Sequence, residues 1–182
     1  MFLQSIVRHR LAQRSEKAPS MSTLDLSTRI QRIEDRNAII DVVIKYATSI
    51  DTAEWDGFAS TLTDPVHVDF SEAGMPAATF ARDQFVGFAR QGLEAWDARQ
   101  HISPNHVVTL DENDADRALC VSYMYAQHYK KNAPNGEFYL MRGSYDNHMI
   151  RTRDGWKIER LTQHVSWLEG NAAAAEEMAG AR

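Results

Sequence analysis

The sequence has 182 residues, of which 43% are hydrophobic and 25% charged, a composition that fits one globular domain with its own core. Its net charge of -5, without a basic stripe, argues against nucleic-acid binding, which requires clustered Lys and Arg. The single cysteine, Cys120, excludes an internal disulfide framework, and no apolar run is long enough to span a bilayer. We therefore expect a cytoplasmic protein without nucleic-acid or membrane partners.

Residues 1–24 differ from the rest and are predicted to form a flexible extension. The first twenty positions hold four basic residues and one acid, Glu16. This composition is typical of a transit peptide and also of an extension ahead of a second start at Met21. Residues 25–171 then form the predicted folded domain, and the Ala- and Glu-rich residues 172–182 form a C-terminal tail.

Three helices are predicted in the first half of the chain. The longest follows a cap at Asp25 or Ser27 and runs to about Thr52. Its apolar positions repeat with helical spacing, which predicts that they share the face turned toward the core. These positions are Ile30, Ile33, Ile40, Ile44 and Ala47.

A second short helix is predicted from Trp55 to Leu62. Pro65 should end it, and residues 66–70 then have the pattern of a strand. Gly74 and Pro76 indicate a loop, and a third helix should span roughly residues 81–95.

After residue 98 the period changes from helical to alternating. Four strands are predicted between turn signals. They are Arg99–Leu110, Arg117–Lys130, Phe138–Ile150 and Trp156–Trp167. Helices followed by an antiparallel meander predict an α+β fold, with the helices packed on the concave face of a curved antiparallel sheet.

Asp51 and His101 are the first candidates for chemistry. A continuous helix would place Asp51 on the same face as Ile44 and Ala47, inside the domain, where a carboxylate is often functional. If the helix ends earlier, Asp51 faces water or caps the next helix. His101 begins the first long strand, where a histidine is usually a surface or core residue.

Further candidates lie on the predicted strands and helices. His128 shares a face of its strand with Met124, so the pair would line a pocket or simply pack in the core. Ser144 and Asp146 share a face of the next strand, where such polar runs usually meet solvent. Tyr46, five residues before Asp51, would either reach the same cavity or pack as core.

Several short motifs, taken together, resemble the SnoaL-like (nuclear-transport-factor-2-like) superfamily. The sequence Tyr46-Ala-Thr-Ser-Ile-Asp51, followed by Trp55-Asp56, is similar to its first-helix motif. The pair Gln100-His101 is similar to its first long strand. Residues 142–158 are similar to its last hairpin, and the whole likeness covers roughly residues 26–171.

Among the enzymes of that superfamily, the motifs resemble those of scytalone dehydratase, the bile-acid dehydratases and lindane dehydrochlorinase. The resemblance implies a cone-shaped barrel in which Asp51 orients His101 as a base, with Tyr46 as an active-site tyrosine. It places His128 and Ser144 in the pocket, Asp146 where scytalone dehydratase has an asparagine, and Ile50 and Phe70 where that enzyme has tyrosines. The pocket residues expected for the substrate are His128, Ser144, Asp146, Trp55, Phe70, Phe88 and Met124.

The resemblance therefore implies a lyase that acts on a cyclic or aromatic small molecule. Its reaction would be that of a dehydratase, a dehydrohalogenase or an aldehyde-releasing enzyme. The base would be neutral His101, and Tyr46, His128 or Ser144 would donate to the leaving group. The alternatives are a cyclase or isomerase with the same base, a non-catalytic small-molecule-binding domain, and a metal-dependent oxygenase or hydroxylase. No cofactor or metal is expected, because the sequence has none of the familiar signatures. The resemblance also implies a homotrimer, with a dimer as the alternative.

Overall fold

The computed structural model describes residues 24–173, so most of the predicted extension and tail lies outside the described residues. Within this range the chain forms three α-helices, a short 3-10 helix and one seven-stranded sheet. By its internal contacts the chain divides into two units, residues 1–35 and 36–182. The described part of the first unit is the beginning of a helix, and the second unit holds the hydrophobic core.

Helix α1 spans Leu26–Thr52, close to the predicted bounds. Asp25 caps it, since its Oδ1 accepts a hydrogen bond of 3.0 Å from the backbone N–H of Thr28. The predicted buried face is wrong for most of its length. Ile30, Ile33 and Ile44 are exposed, whereas the buried apolar positions of the second half are Ile39, Val43, Tyr46, Ala47 and Ile50.

The reason is that this helix carries apolar side chains on nearly every side between residues 39 and 47. Several stripes with helical spacing are therefore available, and the packing partner selects one of them. Spacing alone does not say which stripe meets the sheet.

Helix α2 (Trp55–Ser60) leads into strand β1 (Leu62–Phe70), a 3-10 turn (Ser71–Ala73) and strand β2 (Met75–Phe80). Two predictions were wrong here, because Pro65 lies inside β1 and the expected loop around Pro76 is a strand. Strand β2 pairs antiparallel with β1 at the edge of the sheet, where a proline without an N–H is tolerated. Helix α3 follows over Arg82–Glu94, as predicted.

The rest of the chain forms the predicted meander. Its strands are β3 (Ala98–Ile102), β4 (Val107–Leu110), β5 (Arg117–Tyr129), β6 (Phe138–Thr152) and β7 (Gly155–Gly170). The first predicted strand is thus two strands, interrupted at residues 103–106, where Asn105 has a φ of 59°. Both β3 and β4 pair antiparallel with β5.

The sheet order is β2-β1-β7-β6-β5-β3, with β4 also on β5, and the sheet is curved and does not close. The α+β class is therefore confirmed, with two differences from the expected barrel. The sheet is open, and it is mixed, because β1 runs parallel to β7. None of the helices described within residues 24–173 is both long and apolar enough to cross a membrane.

Candidate active site

Asp51 and His101 meet where the end of α1 crosses strand β3. The Nδ1–H of His101 donates to Asp51 Oδ1 over 2.7 Å, and the backbone N–H of His101 donates to Asp51 Oδ2 over 2.8 Å. The side chain of Asp51 is only 20% exposed and that of His101 only 10%, so water competes little for this contact. One carboxylate thus holds both the ring and the backbone of a single histidine.

This arrangement determines which ring nitrogen of His101 is available. A carboxylate accepts hydrogen bonds, so the neutral imidazole carries its proton on Nδ1 and leaves a lone pair on Nε2. Nε2 has no protein partner among residues 24–173 and is not enclosed by them. His101 also lines a cavity, so its free lone pair is available to a molecule bound there.

Arg99 holds the two helices that flank this pair, a role not anticipated from the sequence. Its Nε donates to the carbonyl of Ile50 at the end of α1 over 2.7 Å, and its Nη1 donates to the carbonyl of Leu93 at the end of α3 over 3.2 Å. A cation suits the negative end of a helix. Arg99 therefore fixes the backbone directly before Asp51.

The cavity has a volume of about 310 Å³ and lies between the helices and the sheet. Among its described lining residues there is no Asp, Glu, Lys or Arg. The lining is Tyr46, Ile50, Phe70, Ala73, Met75, Phe85, Phe88, Ala89, Gly92, Leu93, Trp96, His101, Ala126, His128, Tyr139, Met141, Tyr145 and Gln163. A small, mainly apolar cavity of this kind fits an uncharged organic molecule.

Two tyrosines provide hydroxyl groups in the cavity lining. Tyr46 and Tyr145 have ring centroids 6.4 Å apart. The Tyr145 oxygen accepts a hydrogen bond of 3.3 Å from Gln163 Nε2, while the Tyr46 hydroxyl has no partner among the described residues. Burial raises the pKa of Tyr46 well above 10.0 and that of Tyr145 to about 12. Both phenols therefore keep their protons and are available as donors.

His128 lies beside His101, with ring centroids 5.3 Å apart. It also packs against the ring of Trp96, and its Nδ1–H donates to the carbonyl of Tyr139 over 3.3 Å. Burial, followed by the neighbouring His101 ring, lowers the pKa of His128 from 6.5 to about 4. His128 is therefore neutral at physiological pH.

The structure brings five predicted residues to this cavity wall and leaves four elsewhere. Tyr46, His101, His128, Phe70 and Phe88 line the cavity, and Asp51 stands behind His101.

Met124 is buried on the same face of β5 as His128, but it is not part of the cavity lining. Its sulfur accepts a hydrogen bond from Gln163. Trp55 lies outside the lining and donates to Glu94. Ser144 and Asp146 are also outside it, on the face of β6 opposite Tyr145.

The expected pocket role of Ser144 and Asp146 is thus not met, because alternate residues of a strand point to opposite faces. The cavity residues of β6 are Tyr139, Met141 and Tyr145, which the sequence reasoning missed. The signal was present, since the odd positions of this strand are the more apolar set and therefore the better candidates for the inner face.

The described residues contain no group of three or more His, Cys, Asp or Glu side chains arranged to hold a metal ion. His101 and His128 are neighbours, but Asp51 binds His101 through Nδ1, on the side of the ring away from the free Nε2. Asp51, His101 and His128 are therefore not assembled as a set of metal ligands in residues 24–173.

Sequence comparison places these features in a known family. The SnoaL-like domain pattern matches residues 31–162, which is more than half of the chain. The chain belongs to the SnoaL-like domain family. This confirms the resemblance inferred from the motifs around Asp51, His101 and the last hairpin.

Several solved structures share the fold. The Kfla4162 protein from Kribbella flavida is 32% identical, with a TM-score of 0.73 over 80% of this chain and 99% of that one. An aromatic ring hydroxylase candidate from Novosphingobium aromaticivorans is 27% identical, with a TM-score of 0.69 over 79% and 97%. The hexachlorocyclohexane dehydrochlorinase LinA-type3 from Novosphingobium barchaimii is 16% identical, with a TM-score of 0.66 over 79% and 94%. No curated protein matches the chain in sequence.

Proposed function

We propose that this SnoaL-like protein is a lyase that uses His101 as a general base and Asp51 as the group that orients it. The observation that carries the proposal is the 2.7 Å contact between Asp51 Oδ1 and His101 Nδ1, with Nε2 left free at a cavity wall. A neutral imidazole held in a fixed orientation is an effective proton acceptor.

The reaction that suits this pair is an elimination. His101 Nε2 removes a proton from a C–H bond, and the electrons of that bond form a new carbon–carbon double bond. The leaving group departs with its bonding pair as halide or, after protonation, as water. Asp51 stabilises the imidazolium while it exists, and the imidazolium then returns the proton to the leaving group or to solvent.

The tyrosine pair, Tyr46 and Tyr145, supplies the donors for this step. Both phenols are protonated throughout the physiological range and line the same cavity as His101. A hydrogen bond from a buried neutral donor stabilises charge that develops on a substrate oxygen or leaving group. Tyr46 keeps its proposed catalytic role, and Tyr145 joins it.

The cavity limits the substrate to a small uncharged molecule. Its volume of about 310 Å³ lies at the lower end of ligand sites, which range from roughly 300 to 1,000 Å³. Without an ionic side chain in the described lining, a carboxylate or phosphate would lose its hydration without gaining a partner. A compound of one or two rings, hydroxylated or halogenated, fits these conditions.

An isomerase or cyclase with the same base is the second candidate, and the geometry of the tyrosine pair favours it specifically. Two phenol donors that line the same cavity as the base also suit proton transfer next to a carbonyl, without loss of a group. Product analysis separates the two. An elimination releases halide or water, and a retro-aldol cleavage with the same base, which removes an O–H proton and breaks a C–C bond, releases an aldehyde. An isomerisation releases nothing.

A hydroxylase is the third candidate, suggested by the description of the Novosphingobium aromaticivorans relative. Hydroxylation needs an oxidant and a route for electrons, and elemental analysis together with the absorption spectrum of the purified protein tests for a metal or flavin. A non-catalytic binding domain is the remaining candidate, and it predicts that His101 variants bind their ligand as the native protein does.

The test of the proposed function is a screen of cyclic hydroxylated and halogenated compounds with native protein and the His101→Gln variant. Loss of the base should reduce turnover by about 10²–10⁴-fold. Ser144→Ala is the matched control, because Ser144 lies on the opposite face of the sheet and its loss should leave turnover unchanged. Native turnover by His101→Gln would contradict the proposal, as would activity that is lost on chelation and restored by iron or zinc.

A further inference from the structure

The second histidine of the cavity has a defined tautomer, which follows from a single contact. His128 Nδ1 lies 3.3 Å from the backbone carbonyl oxygen of Tyr139. A carbonyl oxygen only accepts, so the proton of the neutral ring must be on Nδ1. The other nitrogen, Nε2, then carries a lone pair and no proton.

Nε2 of His128 is available to a bound molecule. It has no protein partner within residues 24–173, and it is not enclosed by protein. His128 lines the same cavity as His101, and their ring centroids are 5.3 Å apart. Two neighbouring rings of the cavity lining therefore each carry one acceptor nitrogen.

The two histidine rings differ in how well their surroundings stabilise a positive charge. His101 is backed by the Asp51 carboxylate, which stabilises its charged form. His128 is buried against Trp96. This burial, together with the neighbouring His101 ring and Arg99, outweighs the opposite effects of the Tyr139 carbonyl and Asp51. Charge is therefore disfavoured on His128, so it is suited to accept a hydrogen bond and poorly suited to take or give a proton.

We propose that His128 Nε2 accepts a hydrogen bond from a hydroxyl group of the substrate, so that the site selects neutral hydroxylated ring compounds. The substrate class rests on the proposed function, because it assumes that the cavity is the substrate site. His128 is then a specificity-determining residue, and it is not the acid for the leaving group. Protonation of the leaving group falls to the tyrosine pair or to the imidazolium of His101.

The position of this acceptor also locates the hydroxyl on the substrate. Since the His101 and His128 rings are 5.3 Å apart, a small ring that offers a C–H to His101 offers a nearby hydroxyl to His128. An uncharged hydroxyl donor satisfies the lone pair, whereas a halogen or ether oxygen at that point would leave it unpaired. Discrimination against such analogues follows from the cost of a buried acceptor without a donor.

The tautomer is tested first, in the native protein and without any ligand. Histidine nitrogens labelled with ¹⁵N report directly which ring nitrogen carries the proton. We expect His128 to be neutral at pH 7 with its proton on Nδ1. A proton on Nε2, or a charged ring at pH 7, would overturn the proposal.

The hydroxyl preference is tested with the two naphthols and the two corresponding fluoronaphthalenes, which match them in shape but lack the donor. For native protein, at least one naphthol should bind about threefold to tenfold more tightly than its fluoro counterpart. His128→Phe keeps an aromatic ring against Trp96 and removes the His128 acceptor while His101 Nε2 remains, so this preference should become clearly weaker. Circular dichroism checks that the variant is folded.

The His101→Gln variant separates this proposal from the proposed function. It lacks the base but retains His128, so it should keep the preference for the naphthol whether or not His101 is catalytic. Three outcomes would each overturn the acceptor role of His128. The native protein could bind naphthol and fluoronaphthalene equally, or bind none of the four compounds. Alternatively, the preference could be lost in His101→Gln but kept in His128→Phe.

Discussion

At the scale of single residues, the charge of Asp51 is what the proposed mechanism needs most after the base itself. Its two carboxylate oxygens hold the ring and the backbone N–H of His101. We expect Asp51→Asn to reduce turnover by roughly 10²–10⁴-fold, because an amide favours the wrong imidazole tautomer and does not balance the imidazolium. Steady-state kinetics with the substrate found in the screen measures this effect.

The nature of the loss distinguishes an electrostatic role of Asp51 from a structural one. If the role of Asp51 is electrostatic, Asp51→Asn lowers kcat but keeps a melting temperature close to that of the native protein, since asparagine has nearly the same shape. Asp51→Glu restores the charge with one more methylene and should recover part of the rate. If Asp51→Asn retains full activity, Asp51 does not serve the base.

The buried His128 should make the stability of the fold depend on pH. Its pKa is about 4 in the folded chain, against 6.5 for an unperturbed histidine. Above pH 6.5 both states are neutral and there is no effect. As the pH falls from 6.5 to 4, the unfolded chain takes up a proton that the folded chain refuses, so stability decreases by roughly 3 kcal/mol.

Urea unfolding at pH 7 and pH 4.5 measures this loss in the native protein and in His128→Phe. The groups that act on this ring are His101, Asp51 and Arg99, and they are common to both proteins. The variant should therefore lose less stability than the native protein over the same interval. An equal loss in both would show that His128 is not the group that titrates.

Sequence reasoning identified some site residues and missed others for a definite physical reason. Asp51 and His101 come from a helix and a strand whose motifs have fixed spacing. On a strand, a difference of one position moves a side chain to the other face of the sheet. The motif match at β6 therefore indicated Ser144 and Asp146, whereas Tyr145, between them, lines the cavity.

At the scale of the elements, the site depends on how α1 and α3 end against β3. Arg99 donates to the carbonyl of Ile50 at the end of α1 and to that of Leu93 at the end of α3. Hydrogen bonds from a charged donor are each worth about 1.5–3 kcal/mol. We expect Arg99→Met to reduce the free energy of unfolding by about 1.5–3 kcal/mol. It should also lower turnover, because Asp51 follows Ile50 directly.

The control for this variant is Arg90→Met, on the exposed side of α3. Arg90 is 58% exposed and, within the part of the chain that the structure describes, pairs only with Glu94 on its own helix. Its loss should therefore change stability by no more than about 0.5 kcal/mol. Chemical denaturation measures both variants. If the two arginines prove equally dispensable, Arg99 does not hold the two helix ends together.

Periodicity predicted most element boundaries, but it did not predict their partners. The turn signals Asn135-Gly136 and Asp154-Gly155 lie at the β5–β6 and β6–β7 connections, as expected. The parallel pairing of β1 with β7 joins residues more than ninety positions apart, for example Val68 with Leu161. No local pattern encodes such a contact, which arises because the sheet gains both hydrogen bonds and buried apolar surface.

At the scale of the whole molecule, the outer face of the sheet carries a row of exposed side chains across four strands. Ile102, Tyr125, Arg142 and Trp167 are successive partners in the registers of β3, β5, β6 and β7. Ile102, Tyr125 and Trp167 are 44%, 39% and 53% exposed, and the Arg142 guanidinium lies 3.5 Å from the centre of the Tyr125 ring. Apolar side chains grouped in this way are typical of protein interfaces.

We therefore expect the chain to form a homotrimer through this outer face, the assembly implied by its resemblance to trimeric dehydratases. Light scattering at micromolar concentration should give three times the mass of one chain. Trp167→Glu should shift the protein toward monomer, because a carboxylate buried among apolar groups of a second copy is costly. Arg153→Glu, at the 94% exposed tip of the β6–β7 turn, is the control and should leave the mass unchanged. A native monomer would contradict the assembly itself, whereas a Trp167→Glu trimer would mean that the copies meet through a different surface.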